Sequence, residues 1–492
     1  MCGIYGFIGF KDDKLLEEMG KSLAHRGPDD QDFYCHNNVN LGYRRLSIID
    51  VKKSFQPLYN EDKSIILLFN GEIYNFLELR KKLPNHKFTT DGDGETIIHW
   101  YEEFGLEGLK ELNGMFVISL YDIKKQKVYL IRDHFGIKPL YYTTEPFMYA
   151  SEIKALLKKY KAKPNDKIIE KYLLTRAHDD TEETFFEGIK RVPSGSYLEY
   201  DLKTNNHTIK RYWNIEKKSI DDPVTKFKEL FLDSVKLRLI SEVPVGTALS
   251  GGLDSSAVVC TVPNLKTFSA VFPHEINNEE EYIDEVVKKT GVQAFKVYPK
   301  VEEFWQDINK LISFQDEPMI STGPYAQWKV MEKAHAEGIK VIIDGQGADE
   351  MLAGYIPYHF VYFKELFSQK KYLQLIKEVV FSLDLIWPLI KDKFKSRVDI
   401  KNLFNFSVEP TINKSGLNNR LKQDLFEMSL PSLLRYEDHN SMAFSIESRV
   451  PFLDYRLVEF VFSLPSEFKI RNGWNKWIMR EALKDILPEK IV

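Results

Sequence analysis

Cysteine is scarce in this 492-residue chain, which holds only Cys2, Cys35 and Cys260. So few, in an odd number, exclude a disulfide framework and a cysteine-based zinc site. Charge of one sign is also missing. The formal net charge of -4 leaves no electrostatic footprint for nucleic acid. Long apolar runs are absent. The most apolar later stretch, VVFSLDLIWPLI, is broken by Asp384 and Pro388 and is too short to span a bilayer. The opening MCGIYG lacks the basic region and apolar core of a secretory signal. There is no internal repeat and no low-complexity tract. What is present, 43% hydrophobic and 28% charged residues, describes a soluble globular protein and predicts a reducing, cytoplasmic setting. The length exceeds one ordinary core and predicts two or three domains.

The chain opens MCGIYGFIGF, with a cysteine directly behind the initiator methionine. When residue two is small the initiator is usually trimmed, and Cys2 then carries both a thiol and a free α-amino group. That amine titrates near pH ~8, close enough to neutrality to act as base for its own thiol, as in the threonine version of the pairing. The competing reading is a small buried apolar residue.

The first 200 residues read as many short strands with a few helices. IILLF (65–69), MFVISLYD (115–122), KVYLIRD (127–133) and SYLEYD (196–201) are strand-like by their β-branched and aromatic content. NFLELRKKL (75–83) and ETIIHWYEEF (95–104) have helical apolar spacing. The pattern loosens over 201–214, and KSIDDP (218–223) reads as a linker. From Pro223 a long helix leads into strand GTALS (246–250). Then follow a helix, strand KTFSAVF (266–272), helix EEEYIDEVVKKTG (279–291), strand AFKVYP (294–299) and later strand KVIID (340–344). This alternation predicts an open parallel sheet covered by helices. Residues 355–440 read as mostly helical.

Two glycine-rich turns follow predicted strands. In VGTALSGGLDSSAVVC, Gly251 and Gly252 leave backbone N–H groups open at a helix start, and Ser250, Ser255 and Ser256 add hydroxyls. This is an anion cradle at the carboxyl end of a strand. It lacks the spacing of a Walker A loop. Asp254 is placed to hold Mg²⁺ against phosphates. The second turn, Asp344-Gly345-Gln346-Gly347-Ala348-Asp349-Glu350, offers Asp349 as a second metal carboxylate. Near the end, GWNKWIMREAL puts Lys476 on a predicted helix as a partner for phosphate charge.

SGGLDSS resembles the pyrophosphate-binding loop of the ATP pyrophosphatases. With the N-terminal MCGI, and with HRGPDD, RLSIID, FNGEIYN, RDHFGIKPLYY, SEIKALL and SMAFSIESRVPFLD in order, nearly the whole chain resembles the glutamine-hydrolysing asparagine synthetases. The resemblance implies two domains of α/β and α+β class. Residues 1–215 would be a class II glutamine amidotransferase domain with an αββα N-terminal-nucleophile fold. Residues 222–492 would be an ATP-pyrophosphatase domain with a Rossmann-like parallel sheet and added helices.

In the first domain the resemblance makes Cys2 the nucleophile that releases ammonia from glutamine. Asn70 and Gly71 become the oxyanion donors, although Asn-Gly would otherwise signal a type I′ hairpin turn. Arg45 grips the α-carboxylate, Asp93 takes the ammonium, and Leu46, Ile48 and Glu72 complete the pocket. In the second domain Leu249, Ser250 and Ala270 line an adenylate pocket, with Asp344 and Gly345 opposite and Lys476 on the phosphates. MgATP then activates an acceptor carboxylate, and ammonia crosses an internal passage to reach it. The implied partners are glutamine, ATP and aspartate, with no nucleic acid and no membrane. Homodimers occur in the family, but the sequence marks no interface.

Two departures stand out. Many members have S-G-E-G-S-D-E where this chain has D-G-Q-G-A-D-E. Their glutamate, implicated in forming or aminating the acyl-AMP, is here Gln346. Either Asp344 or Glu317 takes over its work, or the acceptor is another carboxylate, such as a uronic acid or a secondary metabolite. Asp316 and Glu317, within the family-like segment QDEP, carry no assigned role. The chain also stops at LPEKIV, where the family normally continues, which reads as a fragment or a short member. A non-catalytic glutamine- or nucleotide-binding regulator is the rival of another class. Retention of Cys2, Arg45, Asn70, Asp93, Asp254, Asp349 and Lys476 weighs against it.

Overall fold

The alternation of side chains along the first strand builds the first half of the molecule. In a computed structural model, which describes residues 2–262, 264–273, 278–387 and 416–492, the strand Cys2–Ile8 is buried throughout. Ile4 and Ile8 face one apolar cluster, while Tyr5 and Phe7 face another. The first cluster lies between two six-stranded sheets. It joins Ile4, Leu41 and Tyr43 to Ile66, Leu68, Val117 and Leu130. The outer face of the first sheet packs on Leu15, Leu16 and Met19 of the helix Asp13–Ser22. The outer face of the second packs through Leu67, Phe69 and Phe116 on the helix Asp93–Phe104. The result is an αββα stack. It explains why IILLF is apolar at every position: both faces of its strand are covered.

Both sheets are antiparallel. The first runs Lys190–Arg191, Tyr141–Thr144, Phe147–Ala150, Cys2–Ile8, Val39–Arg45, Asp30–His36, so the N-terminal strand is internal. The second runs Asn206–Arg211, Ser196–Asp201, Lys127–Arg132, Gly114–Asp122, Ile65–Ile73, Leu58–Tyr59. Its edge strand, Asn206–Arg211, falls where the sequence pattern only loosens. NHTIKR is polar and mostly exposed, as expected of a strand with one free edge.

The second half starts at the helix Pro223–Arg238. Proline stands at its first position, and the Asp222 side chain accepts from the Thr225 N–H. A five-stranded sheet follows, every neighbouring pair parallel, in the order Ala294–Val297, Lys266–Ala270, Val245–Ala248, Val341–Ile343, Glu447–Arg449. The chain first builds outward on one side of Val245–Ala248, then returns to the other side. That reversal creates a switch point between Val245–Ala248 and Val341–Ile343, where ligands bind beyond the strand ends in open α/β sheets. Both glycine-rich turns leave from these two strands. The expected strand GTALS ends at Ala248, so Leu249 and Ser250 already belong to the loop.

Within 355–440, Pro357–Ser368, Tyr372–Phe381, Leu417–Gln423 and Leu430–Met442 are helical. Residues 388–415, including the end of VVFSLDLIWPLI, lie outside the described residues. Among the described residues, no helix is long and apolar enough to cross a membrane.

Candidate functional site

Cys2 opens the internal strand of the first sheet, and the residues around it come from several elements. One small cavity is lined by Cys2, Arg45, Leu46, Ile48, Gly71, Glu72 and Asp93. Asn70 is joined to the same place by its side chain, whose Oδ1 accepts the Cys2 backbone N–H at 2.9 Å. Its other end, Nδ2, is buried with no hydrogen-bond partner among the described residues. A buried donor left unmade is costly, and this one is available to an oxygen formed beside Cys2. Asn70 and Gly71 are not a hairpin turn. They lie within the strand Ile65–Ile73 and pair with Val117 and Phe116. A Cβ at Gly71 would lie 2.0 Å from the Met115 carbonyl oxygen, and its φ of +148° disfavours a side chain.

Charge in the cavity is arranged in both signs. Arg45 is buried, with Nη2 donating to the Asp50 carbonyl at 2.9 Å and Nη1 to that of Val51 at 3.1 Å. Asp93 begins the helix Asp93–Phe104, and its Oδ2 accepts the Ile73 N–H at 2.7 Å. Burial raises the Asp93 carboxyl to about 6. Burial, reinforced by Glu447 and Asp93, raises Glu72 well above the usual carboxylate range. Burial also pushes the Cys2 thiol up, opposed by the Leu46 N–H and the charge of Arg45. The pocket therefore holds a guanidinium, two carboxyl groups short of cations, and a thiol. Ser54, Gln56, Leu58 and Phe69 also line it, and sequence reasoning did not find them. Gly3, beside Cys2, lies close to Leu23 and Arg26.

The second group of residues gathers at the switch point. The helix Leu253–Thr261 has no side-chain cap on its first turn, so its N–H groups remain open toward the loop. Ser255 Oγ reaches the Ser250 N–H at 3.1 Å and Ser250 Oγ at 3.0 Å. Ser256 Oγ is buried without a partner among the described residues. Gly345 touches this loop so closely that a Cβ there would lie 3.0 Å from both Asp254 Cβ and Ser255 N. The two glycine-rich turns thus form one cradle, beside the strand that ends at Ala270. Lys476 Nζ lies 2.6 Å from Asp254 Oδ2 and 2.6 Å from Asp349 Oδ1. It caps the helix Trp477–Leu483 rather than lying within it, with a left-handed φ of +51°. A non-glycine residue there stores about 1–3 kcal/mol of strain. Burial, against the pull of Lys476, raises Asp254 to about 6, and its Oδ1 is buried without a hydrogen-bond partner among the described residues. An orphaned carboxylate oxygen facing a second aspartate fits a divalent cation.

Gln346 sits half-buried in the second turn. Glu317, one of the two carboxylates offered in place of the missing glutamate, pairs with Arg191 and accepts the Phe185 N–H at 3.0 Å. Asp316 lies 3.4 Å from Lys154. Both are tied to the first half of the chain. The halves also meet at Arg26, which is fully buried and donates to Asp438 Oδ2 at 2.7 Å, Glu152 Oε1 at 2.8 Å and the Cys2 carbonyl at 3.3 Å. Leu46 and Ile48 pack directly on Val341 and Met442.

A glutamine amidotransferase domain model matches residues 1–213, and an asparagine synthase model matches residues 226–492. The chain belongs to the glutamine-hydrolysing asparagine synthetase family. It is 32% identical over 99% of its length to asparagine synthetase [glutamine-hydrolyzing] 2 of Bacillus subtilis, spanning 70% of that protein. Against asparagine synthetase [glutamine-hydrolyzing] 1 of the same organism it is 29% identical over its whole length and 85% of the relative. Asparagine synthetase B of Escherichia coli is 32% identical over 73% of this chain and 65% of its own length. As a member of this ATP-using family, the chain is a glutamine-hydrolysing carbon–nitrogen ligase. Its mixed α/β fold combines an αββα stack with a parallel five-stranded sheet.

Proposed function

We propose that the chain makes asparagine: aspartate, glutamine, ATP and water give asparagine, glutamate, AMP and diphosphate through β-aspartyl-AMP. The observation that carries the first half is the cavity that brings Cys2 together with Arg45, Glu72 and Asp93. A guanidinium and carboxylates match the two charges of an α-amino acid, and the thiol faces its side chain. Cys2 attacks the glutamine amide after removal of the initiator, with its own α-amine as base. The contact of that nitrogen with Asn70 Oδ1 turns Asn70 Nδ2 toward the reaction. Nδ2 and the Gly71 N–H take the oxyanion.

Residues 1–215 release ammonia and residues 222–492 use it. In the second site the uncapped helix start and Ser250, Gly251, Gly252, Ser255 and Ser256 hold phosphate oxygens. Leu249, Ala270, Asp344 and Gly345 surround the nucleotide. Asp254 and Asp349 would hold Mg²⁺, which when bound supplies positive charge against the phosphates. Lys476, already between the two aspartates, turns to the phosphates as they enter. Ammonia crosses the interface near Leu46, Ile48 and Val341, sealed from water and so kept unprotonated. A cytoplasmic setting suits the free thiol.

One observation favours a second reading, the same chemistry on another carboxylate: Gln346 cannot accept a proton at neutral pH. The test is a single reaction with MgATP, amide-¹⁵N glutamine and aspartate, followed by mass spectrometry and a diphosphate assay. Labelled asparagine with matching diphosphate is the expected result. Glutamate without asparagine, and no aspartate-dependent diphosphate, would overturn aspartate as acceptor.

A further inference from the structure

The geometry points to a metal site outside both reaction centres, where Glu61, His86, His99 and Glu102 bind one zinc-class divalent cation. The four residues come from three segments. Glu61 precedes the strand Ile65–Ile73, and His86 follows the helix Phe76–Lys81. His99 and Glu102 stand three residues apart on one face of Asp93–Phe104. One ligand atom from each lies within 4.8 Å of all the others.

The spacings suit tetrahedral coordination. His86 Nδ1 and His99 Nδ1 are 3.0 Å apart. Glu102 Oε2 lies 3.0 Å from His99 Nδ1 and 3.8 Å from His86 Nδ1. Glu61 Oε2 lies 3.9 Å from His99 Nδ1. A zinc ion with four N and O ligands at ~2.0–2.1 Å has ligand–ligand edges of about 3.3 Å, which falls within that range. Two histidines and two carboxylates are an ordinary donor set for this ion.

Without a cation, one proton on His99 Nδ1 has to be shared between two contacts. His99 Nδ1 carries either one proton or one lone pair, yet two heteroatoms lie 3.0 Å from it. A cation accepting all four lone pairs removes that need. Each imidazole also has a carboxylate near its far nitrogen, beyond hydrogen-bond distance but within ion-pair reach. His99 Nε2 faces Glu95 Oε1 at 3.8 Å, and His86 Nε2 faces Glu103 Oε2 at 3.7 Å. Glu102 is further fixed by Asn60 Nδ2, which donates to its Oε1 at 2.8 Å. Glu61 is half-exposed, so an ion can enter. Once bound, it would pin the 82–92 loop, which runs into Asp93, onto the helix that Asp93 begins.

The other acidic and histidine cluster, Glu152, Asp316 and His439, already holds the cationic side chains of Lys154 and Arg26 and needs no ion.

The test starts from full-length protein stripped by a chelator and dialysed. Cobalt(II) is added and followed in the visible, and zinc-dependent melting is measured in parallel. One cobalt per chain with intense tetrahedral bands, and a zinc-dependent rise in melting temperature, are expected. In His86→Ala both effects should fall, with affinity reduced about 100-fold or more, while far-UV circular dichroism stays unchanged. Glu61→Gln, at an exposed position, should weaken binding in the same direction. Absence of the tetrahedral spectrum in the wild-type protein would overturn the site. So would a spectrum and zinc-dependent melting that persist undiminished in His86→Ala, since the metal would then sit at Cys2 or at Asp254 and Asp349.

Discussion

Arg449 Nη2 lies 3.7 Å from Glu72 Oε1, while the Arg449 carbonyl accepts the Asp344 N–H at 2.9 Å. One residue therefore approaches a carboxylate of the Cys2 cavity and fixes the backbone of the second glycine-rich turn. Its guanidinium also holds Glu447 through Nε at 2.6 Å and the carbonyls of Arg238 and Ile240 at 2.7 Å.

Replacing Arg449 by Met leaves the buried charge of Glu447 without its nearest cation. Stability should fall by about 3–5 kcal/mol, read from the denaturant midpoint. Adding Glu447→Gln should recover part of that loss. A single Arg449→Met protein as stable as wild type would show that the cluster is already neutral.

Asn70→Ala should slow glutamine hydrolysis by about 10²–10³-fold in kcat with a much smaller change in KM. Cys2→Ala should abolish it. Both variants should retain ammonia-dependent synthesis. If Cys2→Ala loses the glutamine- and ammonia-supported reactions equally, the two-site arrangement is wrong.

Asp93→Asn should separate stability from use of glutamine. Burial raises this carboxyl from 3.8 to about 6 in the folded protein. Between those values the folded state keeps a proton that the unfolded chain has released. Stability therefore falls as pH rises through that window and levels off above it. The Asn variant escapes this and should be more stable than wild type by about 2–3 kcal/mol at pH 8. It should match wild type below about pH 4. Its KM for glutamine should rise sharply. In the wild-type protein, KM for glutamine should also rise as pH falls below about 6, because Asp93 loses the charge that holds the ammonium.

Much of this arrangement could be read from the residues. SGGLDSS and DGQGADE were legible because a glycine-rich turn after an apolar strand has few other uses. The pocket around Cys2 became legible only when Arg45, Asn70 and Asp93 were taken together with a cysteine at position two. Asn70-Gly71 reads locally as a turn, yet sheet pairing with Val117 and Phe116 overrides that preference. The edge strand Asn206–Arg211 escaped because polar residues satisfy an exposed edge as well as a loop. Glu447 and Arg449 lay inside a segment that was noticed, but nothing local tells a buried charge pair from a solvated one. The one signal was charge–Ser–charge running straight into the apolar VPFL. The His86 and His99 cluster joins segments 13 residues apart across a loop whose path no periodicity describes.

The strand that begins with Cys2 lies between Val39–Arg45 and Phe147–Ala150. A chain emerging from the ribosome cannot flank that strand on both sides until residue 150 is available. At ~5–20 residues per second, the start of the chain stays open to an aminopeptidase for roughly 10–30 s. After that its own later strands close over it. Under the proposed function, exposing the Cys2 amine is thus a race set by topology, and slowing translation before residue 150 would lengthen the time allowed for it.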